Sequence, residues 1–260
     1  MPVFTFNSPT IFYQTNGRGL PVVFLHGFCE DHRIWEPFFD SFPDTQMICI
    51  DTPGFGHSTR AAVPDLGHMA DLVAALLKKM GIDKCILMGH SMGGYISLAF
   101  AEKYGDMLMG LGLIHSSPYA DGKKKKAQRL KEKKFVGRHG SENYVAELIP
   151  KLFPKKYANP KIVKQLISQG QQYAPEGIQD ALVAMRNRTD KSTVLEIINC
   201  PVLIIAGEED AVVPIEKSLA FSAYPNTCSM HFLPKTAHMG LFEKPKKCRQ
   251  IINDFIVFCR

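Results

Sequence analysis

The chain of 260 residues has no apolar run of the roughly 18 residues that a membrane-spanning helix needs. The opening MPVFTFNSPT lacks a basic stretch followed by an apolar one, so no leader peptide is expected. Cysteine is present seven times, an odd number, and the positions are scattered. No C-x-x-C pair and no Cys/His cluster occurs, which argues against a disulfide framework and a structural metal site. Cys49 in MICI and Cys85 in CILM lie inside apolar runs, as buried thiols of a reducing compartment do. The expected setting is therefore the cytoplasm. No internal repeat is found. What remains is an ordinary globular composition, 45% hydrophobic and 22% charged, in a chain long enough for one large domain or a core with an insertion.

Short apolar runs alternate with helical patterns in the first half. PVVFL (21–25), MICI (47–50), KCILMG (84–89) and LMGLGLIH (108–115) read as buried strands. Between them, Leu66, Met69, Val73, Leu76, Leu77 and Met80 recur at helical spacing and Gly81 stops the run. A second helical pattern fills Gly94 to Tyr104. Strands alternating with helices predict an α/β fold, a mostly parallel sheet flanked by helices. From about Ser116 to Ile197 helical patterns dominate. Strand signal resumes at PVLIIAG (201–207) and CSMHFL (228–233), with helices expected over 215–223 and 244–259. The predicted organisation is a core formed by 1–115 and 198–260, with 116–197 inserted as a helical cap.

Charge is unevenly placed. Lys123 to Lys164 holds 14 Lys and Arg against Glu132, Glu142 and Glu147, a net of +11, whereas the whole chain is +6. The rest is thus net acidic, and the basic character belongs to the inserted segment. A solvated basic helix is the first reading of this run. Attraction of anionic substrates or a membrane surface is the second. Nucleic-acid binding is not expected, because no aromatic platform is interleaved with the lysines.

One motif carries chemistry. Gly89-His90-Ser91-Met92-Gly93 fits G-x-S-x-G and lies between a predicted strand and a predicted helix. A serine on so sharp a turn takes strained backbone angles and needs small neighbours, so that strand and helix can approach. The turn lifts the hydroxyl out of the sheet and aims the Met92 N–H and the helix N-terminus at developing negative charge. Such a serine needs a base, and the chain has nine histidines. His26 and His90 flank motifs and read as loop-shaping residues. His57 lies in a loop expected near the site, and His238 follows the last strand. His32, His68, His115, His139 and His231 have no motif context. Glu208, Glu209 and Asp210 all stand at the end of one strand as candidate acids.

With these residues in view, the chain resembles the α/β-hydrolase fold superfamily, of the cap-bearing serine esterase, lipase and lactonase type. GHSMGG (89–94), His26-Gly27-Phe28, the D-x-x-G-x-G-x-S loop at 51–58, Gly207 to Asp210 with Val213-Pro214, and Ala237-His238-Met239 with Glu243 and Pro245 follow the family's order. The resemblance implies Ser91 as nucleophile, His238 as base and Asp210 as its acid, in the chain order Ser…Asp…His. It also implies an oxyanion hole made by the N–H groups of Phe28 and Met92, with the Phe28 ring lining a substrate pocket. Trp35 is expected to anchor a helix. Ser91 speaks against the dehalogenases and epoxide hydrolases of this fold, which attack with aspartate. The implied activity is hydrolysis of a small-molecule carboxylic ester, with no cofactor, no metal, no nucleic acid and no stable membrane insertion. Thioester, lactone and carbon–carbon bond hydrolysis remain open on the same triad, as does a receptor that keeps the triad with little turnover.

Overall fold

The computed structural model describes residues 3–5, 9–157 and 159–260. Residues 1, 2 and 6–8, within the stretch read for a leader, and residue 158, within the inserted segment, lie outside the described residues.

Eight strands form one sheet: β1 (Val3–Thr5), β2 (Thr10–Asn16), β3 (Leu20–Leu25), β4 (Thr45–Ile50), β5 (Cys85–His90), β6 (Leu108–Ile114), β7 (Val202–Gly207) and β8 (Cys228–Leu233). Their spatial order is β1-β2-β4-β3-β5-β6-β7-β8. β1 and β2 run antiparallel to their neighbours, and every pair from β3 onward is parallel. The central strands are buried on both faces, which is why they read as unbroken apolar runs and not as alternating ones. β2 and β1 escaped the sequence reading. TIFYQTN is half-buried at the edge and mixes polar with apolar residues, so it offers no such run.

Among the described residues there are nine α-helices: α1 (Leu66–Lys79), α2 (Met92–Tyr104), α3 (Lys123–Leu148), α4 (Pro160–Gly170), α5 (Pro175–Asn187), α6 (Ser192–Ile197), α7 (Ile215–Phe221), α8 (Gly240–Glu243) and α9 (Pro245–Phe258). Local chemistry sets their ends. The Asp65 carboxylate accepts from the His68 N–H at 3.0 Å and caps α1, and Gly81 follows in the left-handed region at φ 71°. The last helix, expected over 244–259, is α9, started by Pro245; the short α8 precedes it, and Lys244, outside helical geometry, separates the two. α3 bends at Gly140, whose φ of 77° interrupts it. Helices α3 to α6 all lie between β6 and β7. Trp35 is fully buried on a 3₁₀ turn (His32–Phe38), its ring 4.9 Å from Phe24 and 6.0 Å from Phe38. Among the described residues no helix is long and apolar enough to cross a membrane.

Candidate active site

Ser91 joins β5 to α2 at φ 50° and ψ −112°, a conformation that costs a non-glycine residue about 1–3 kcal/mol. Three hydrogen bonds hold it there. The Ser91 N–H donates to Ile114 O at 2.9 Å, and the Ser91 carbonyl accepts from Gly94 N–H at 3.0 Å and from Ser116 Oγ at 2.8 Å. A side chain at Gly89 would strike the backbone of Gly93, and one at Gly93 would strike that of Leu25. The glycines of the motif are therefore demanded by backbone contact across the turn.

The serine hydroxyl meets an imidazole. His238 Nε2 lies 2.8 Å from Ser91 Oγ, and His238 Nδ1 lies 2.8 Å from Asp210 Oδ2. All three residues are buried, with Ser91 the most exposed at 9%. Asp210 Oδ1 accepts from the N–H groups of Val212 (2.8 Å) and Val213 (2.9 Å), so the chain after β7 wraps the carboxylate. Burial opposes its charge, but His238, together with a hydrogen bond from His115, outweighs this and holds Asp210 well below the usual carboxylate range. Glu208 instead accepts from the Lys235 N–H at 2.9 Å, and neither it nor Glu209 is brought to His238. Glu243 grips the base loop from both sides, accepting from the N–H groups of Ala237 (2.9 Å) and Met239 (3.0 Å).

The sequence reading missed His115. It was grouped with histidines lacking motif context, yet its Nδ1 lies 3.1 Å from Asp210 Oδ2, the oxygen that also faces His238. His115 follows β6, next to β7 in the sheet, so its nearness to Asp210 arises from strand order and leaves no mark in local sequence. Burial, the dominant cause, pushes its pKa down to about 4. The ring is accordingly neutral near pH 7 and donates Nδ1–H to Asp210, while its buried Nε2 has no hydrogen-bond partner.

A second network lies behind the first. Glu30 Oε2 accepts from the Gly27 N–H at 2.7 Å and pairs with His90 Nδ1 at 2.9 Å, and His90 Nε2 donates to the His238 carbonyl at 3.2 Å. Burial works against charge on both partners, but each favours charge on the other: Glu30 is shifted down and His90 up. One fully buried ion pair thus ties the loop after β3, the strand carrying Ser91 and the loop carrying His238. His26 works locally. Its Nε2 accepts from the Thr52 N–H at 2.9 Å, so Nδ1–H donates to Gly27 O at 2.7 Å. His57 packs on Phe12 and His32 and is not brought to Ser91.

A cavity of about 80 Å³ opens on Ser91 and His238. Phe28, Tyr95, Tyr144, Leu148 and Met185 give it apolar walls, and Lys125, Arg129, Glu30 and Glu132 also border it. Tyr144, Leu148 and Met185 come from α3 and α5, so the helices between β6 and β7 line the space over the serine. Met92 is the first residue of α2, where an N–H has no partner within the helix. The Gly27 N–H is taken by Glu30, and Phe28 is the next residue of that loop.

Two clusters have the donor set of a cation site: His115, Asp210 and His238, and Asp31, His32 and Asp51, with ligand atoms within 4.8 Å of one another. In the first, both Nδ1 atoms face the Asp210 carboxylate as hydrogen-bond partners, and in the second His32 Nδ1 bonds Asp51 at 2.8 Å. A cation would have to break these bonds, so neither set fits one well.

Comparison with known proteins now decides the family. The family described as alpha/beta hydrolase fold matches residues 21–245. The chain belongs to it. The solved structure of a malate-bound thermophilic esterase from Thermogutta terrifontis is 30% identical and superposes with a TM-score of 0.91, covering 96% of this chain and 94% of its own. An enol-lactonase from Burkholderia xenovorans superposes equally well, at 0.91, over 98% of this chain and 100% of its own. At 18% identity it shows a shared fold alone. A curated relative from Klebsiella pneumoniae, 28% identical over 77% of this chain and 75% of its own length, is a 2-succinyl-6-hydroxy-2,4-cyclohexadiene-1-carboxylate synthase.

Proposed function

We propose that this member of the alpha/beta hydrolase fold family is a hydrolase that cleaves a carboxylic ester of a small molecule through an acyl-enzyme on Ser91. The observation that carries this reading is the unbroken chain Ser91 Oγ–His238 Nε2 and His238 Nδ1–Asp210 Oδ2, each link 2.8 Å, opening on a cavity. Ser91 Oγ attacks the ester carbonyl carbon as its proton passes to His238 Nε2. The carbonyl oxygen becomes an oxyanion, held by the N–H groups of Phe28 and Met92. Collapse breaks the carbon–oxygen bond to the alcohol, which leaves with the proton from His238. Water then attacks the acyl carbon, again giving its proton to His238, and Ser91 is released with the acid product. Asp210 fixes the imidazole and stabilises its cation. Residues 116–197 serve as the cap that selects the substrate, and the Phe28 ring borders the acyl group. The esterase relative at 30% identity supports the ester. Seven free cysteines, five of them buried, fit a cytoplasmic protein.

A second reading keeps the same residues but breaks a different bond, in a thioester, a lactone or a carbon–carbon bond. The synthase named among the relatives favours it. Purified protein assayed on p-nitrophenyl esters and matching thioesters of graded chain length separates the two. Ester turnover that vanishes in Ser91→Ala supports the first reading, and no turnover of any ester, with a thioester cleaved, contradicts it.

A further inference from the structure

The cavity at Ser91 does not stand alone. Tyr95, Lys125, Arg129 and Val212 also border a neighbouring cleft of about 270 Å³, so the two spaces lie side by side at these four residues. The charges along them are unequal. Lys125 and Arg129 face both spaces, and on the serine side two acids, Glu132 and the His90-paired Glu30, stand with them. Beyond Tyr95 the cleft is bordered by Lys125, Arg129, Arg188 and Lys217, against the single carboxylate of Asp121.

Asp121 cannot neutralise this set. Its Oδ1 takes Arg188 Nη2 at 2.8 Å and its Oδ2 takes Arg129 Nε at 2.5 Å. Arg188 is otherwise used up, by the carbonyls of Tyr119 and Met185 and by the Tyr95 ring 4.0 Å beneath its guanidinium. Arg129 is different. Its residue is 93% buried (7% exposed), yet Nη1 and Nη2 make no hydrogen bond to any described residue. Among the described residues Lys125 and Lys217 make no close ion pair; Lys125 only feels Glu132 and Asp121 at a distance. A guanidinium held from behind by a carboxylate, with its two outer nitrogens unbonded to the described residues and reached by solvent, is a preorganised receptor for a planar anion.

We infer that this cleft binds an anionic group, a carboxylate or a phosphate, on the part of the substrate remote from the reacting carbonyl. The inference rests on the ester reading above and names its substrate class: a small ester that carries a second, negatively charged end. Arg129 is the specificity residue, and Lys125 and Lys217 add attraction at the mouth. The basic run that looks like a solvated face thereby contributes two of its members, Lys125 and Arg129, to the substrate cleft.

Two measurements test it. In the first, Ser91→Ala protein, which cannot turn over, is titrated by calorimetry with glutarate and with inorganic phosphate. Saturable binding of either supports the cleft and tells which anion it prefers. The expected result is a loss of at least about tenfold in affinity in the double variants that add Arg129→Gln or Lys217→Ala. Because Arg129→Gln leaves Asp121 short of a partner, the exposed Lys217 keeps the test decisive if that variant does not fold. In the second, kcat/KM is compared for p-nitrophenyl hydrogen glutarate and p-nitrophenyl valerate, esters alike in length but not in charge. The acidic ester is expected to lead by about tenfold or more, and the ratio to collapse in Arg129→Gln and fall in Lys217→Ala. Anion binding without turnover of any ester would leave the cleft standing and overturn the ester reading. Turnover of both esters at equal rates, with no anion binding, would overturn the cleft and leave the ester reading intact.

Discussion

At the scale of single residues the site turns on one carboxylate that serves two imidazoles. Asp210→Asn is expected to lower kcat by roughly 10⁴, because the amide can no longer hold His238 in the working tautomer. Glu208→Gln and Glu209→Gln are expected to cost far less, since Glu208 is engaged with Lys235 and not with His238. Steady-state rates on one activated ester check this, and a glutamate variant as damaged as Asp210→Asn would move the acid elsewhere. His115 makes a subtler claim. Its neutral Nδ1–H draws off part of the Asp210 charge that His238 would otherwise feel. Replacing it with leucine is expected to move the acid limb of the kcat/KM profile upward, while His115→Asn, which keeps a donor, restores the profile. An unmoved limb in the leucine variant would reduce His115 to packing. The proposed triad was legible in sequence because each of its residues sits at a marked loop: G-x-S-x-G, the end of PVLIIAG, the turn after CSMHFL. His115 and Glu30 were not, because their partners lie 95 and 60 residues away and no local spacing reports such contacts.

At the scale of elements, several bonds latch the segment over the serine to the core, two of them beside the site. The His238 N–H donates to Leu152 O at 3.0 Å, and the Tyr173 hydroxyl donates to Asp31 Oδ2 at 2.6 Å. Asp31 is buried. Although burial resists its charge, the hydrogen bonds of Arg33 and Tyr173 pull its pKa from 3.8 down to about 2. A depressed carboxylate stabilises the fold above its unfolded value and loses that contribution as pH falls through the folded one. The shift corresponds to about 2 kcal/mol, present above roughly pH 4 and gone near pH 2. Asp31→Asn is therefore expected to lower Tm at pH 7 and to match the parent near pH 2, which thermal melts across that range check; a deficit independent of pH would contradict it. Elements were readable where burial is two-sided or periodic, as in β3 to β7, α1 and α2. They were not readable where contact with a neighbour decides. β2 pairs with β4 through Tyr13 and Ile50 in a half-polar sequence, and the four-residue α8 is too short to show a period.

At the scale of the molecule, an acidic remainder carries a basic helical segment, and the two meet over the nucleophile. The fold places Ser91, Asp210 and His238 at the carboxyl ends of β5, β7 and β8, in the crevice where open α/β sheets gather their ligands. The strain at Ser91, the Glu30–His90 pair and the grip of Glu243 all bear on one point, the contact between Ser91 Oγ and His238 Nε2. On the proposed function, its consequence is a serine that reacts where ordinary serines do not. The direct test is labelling with a fluorophosphonate followed by peptide mapping. One adduct is expected, on the segment from Gly89 to Gly94, absent from heat-denatured protein and from Ser91→Ala, whose ester turnover falls to background. Labelling elsewhere, or turnover unchanged in Ser91→Ala, would contradict Ser91 as the nucleophile.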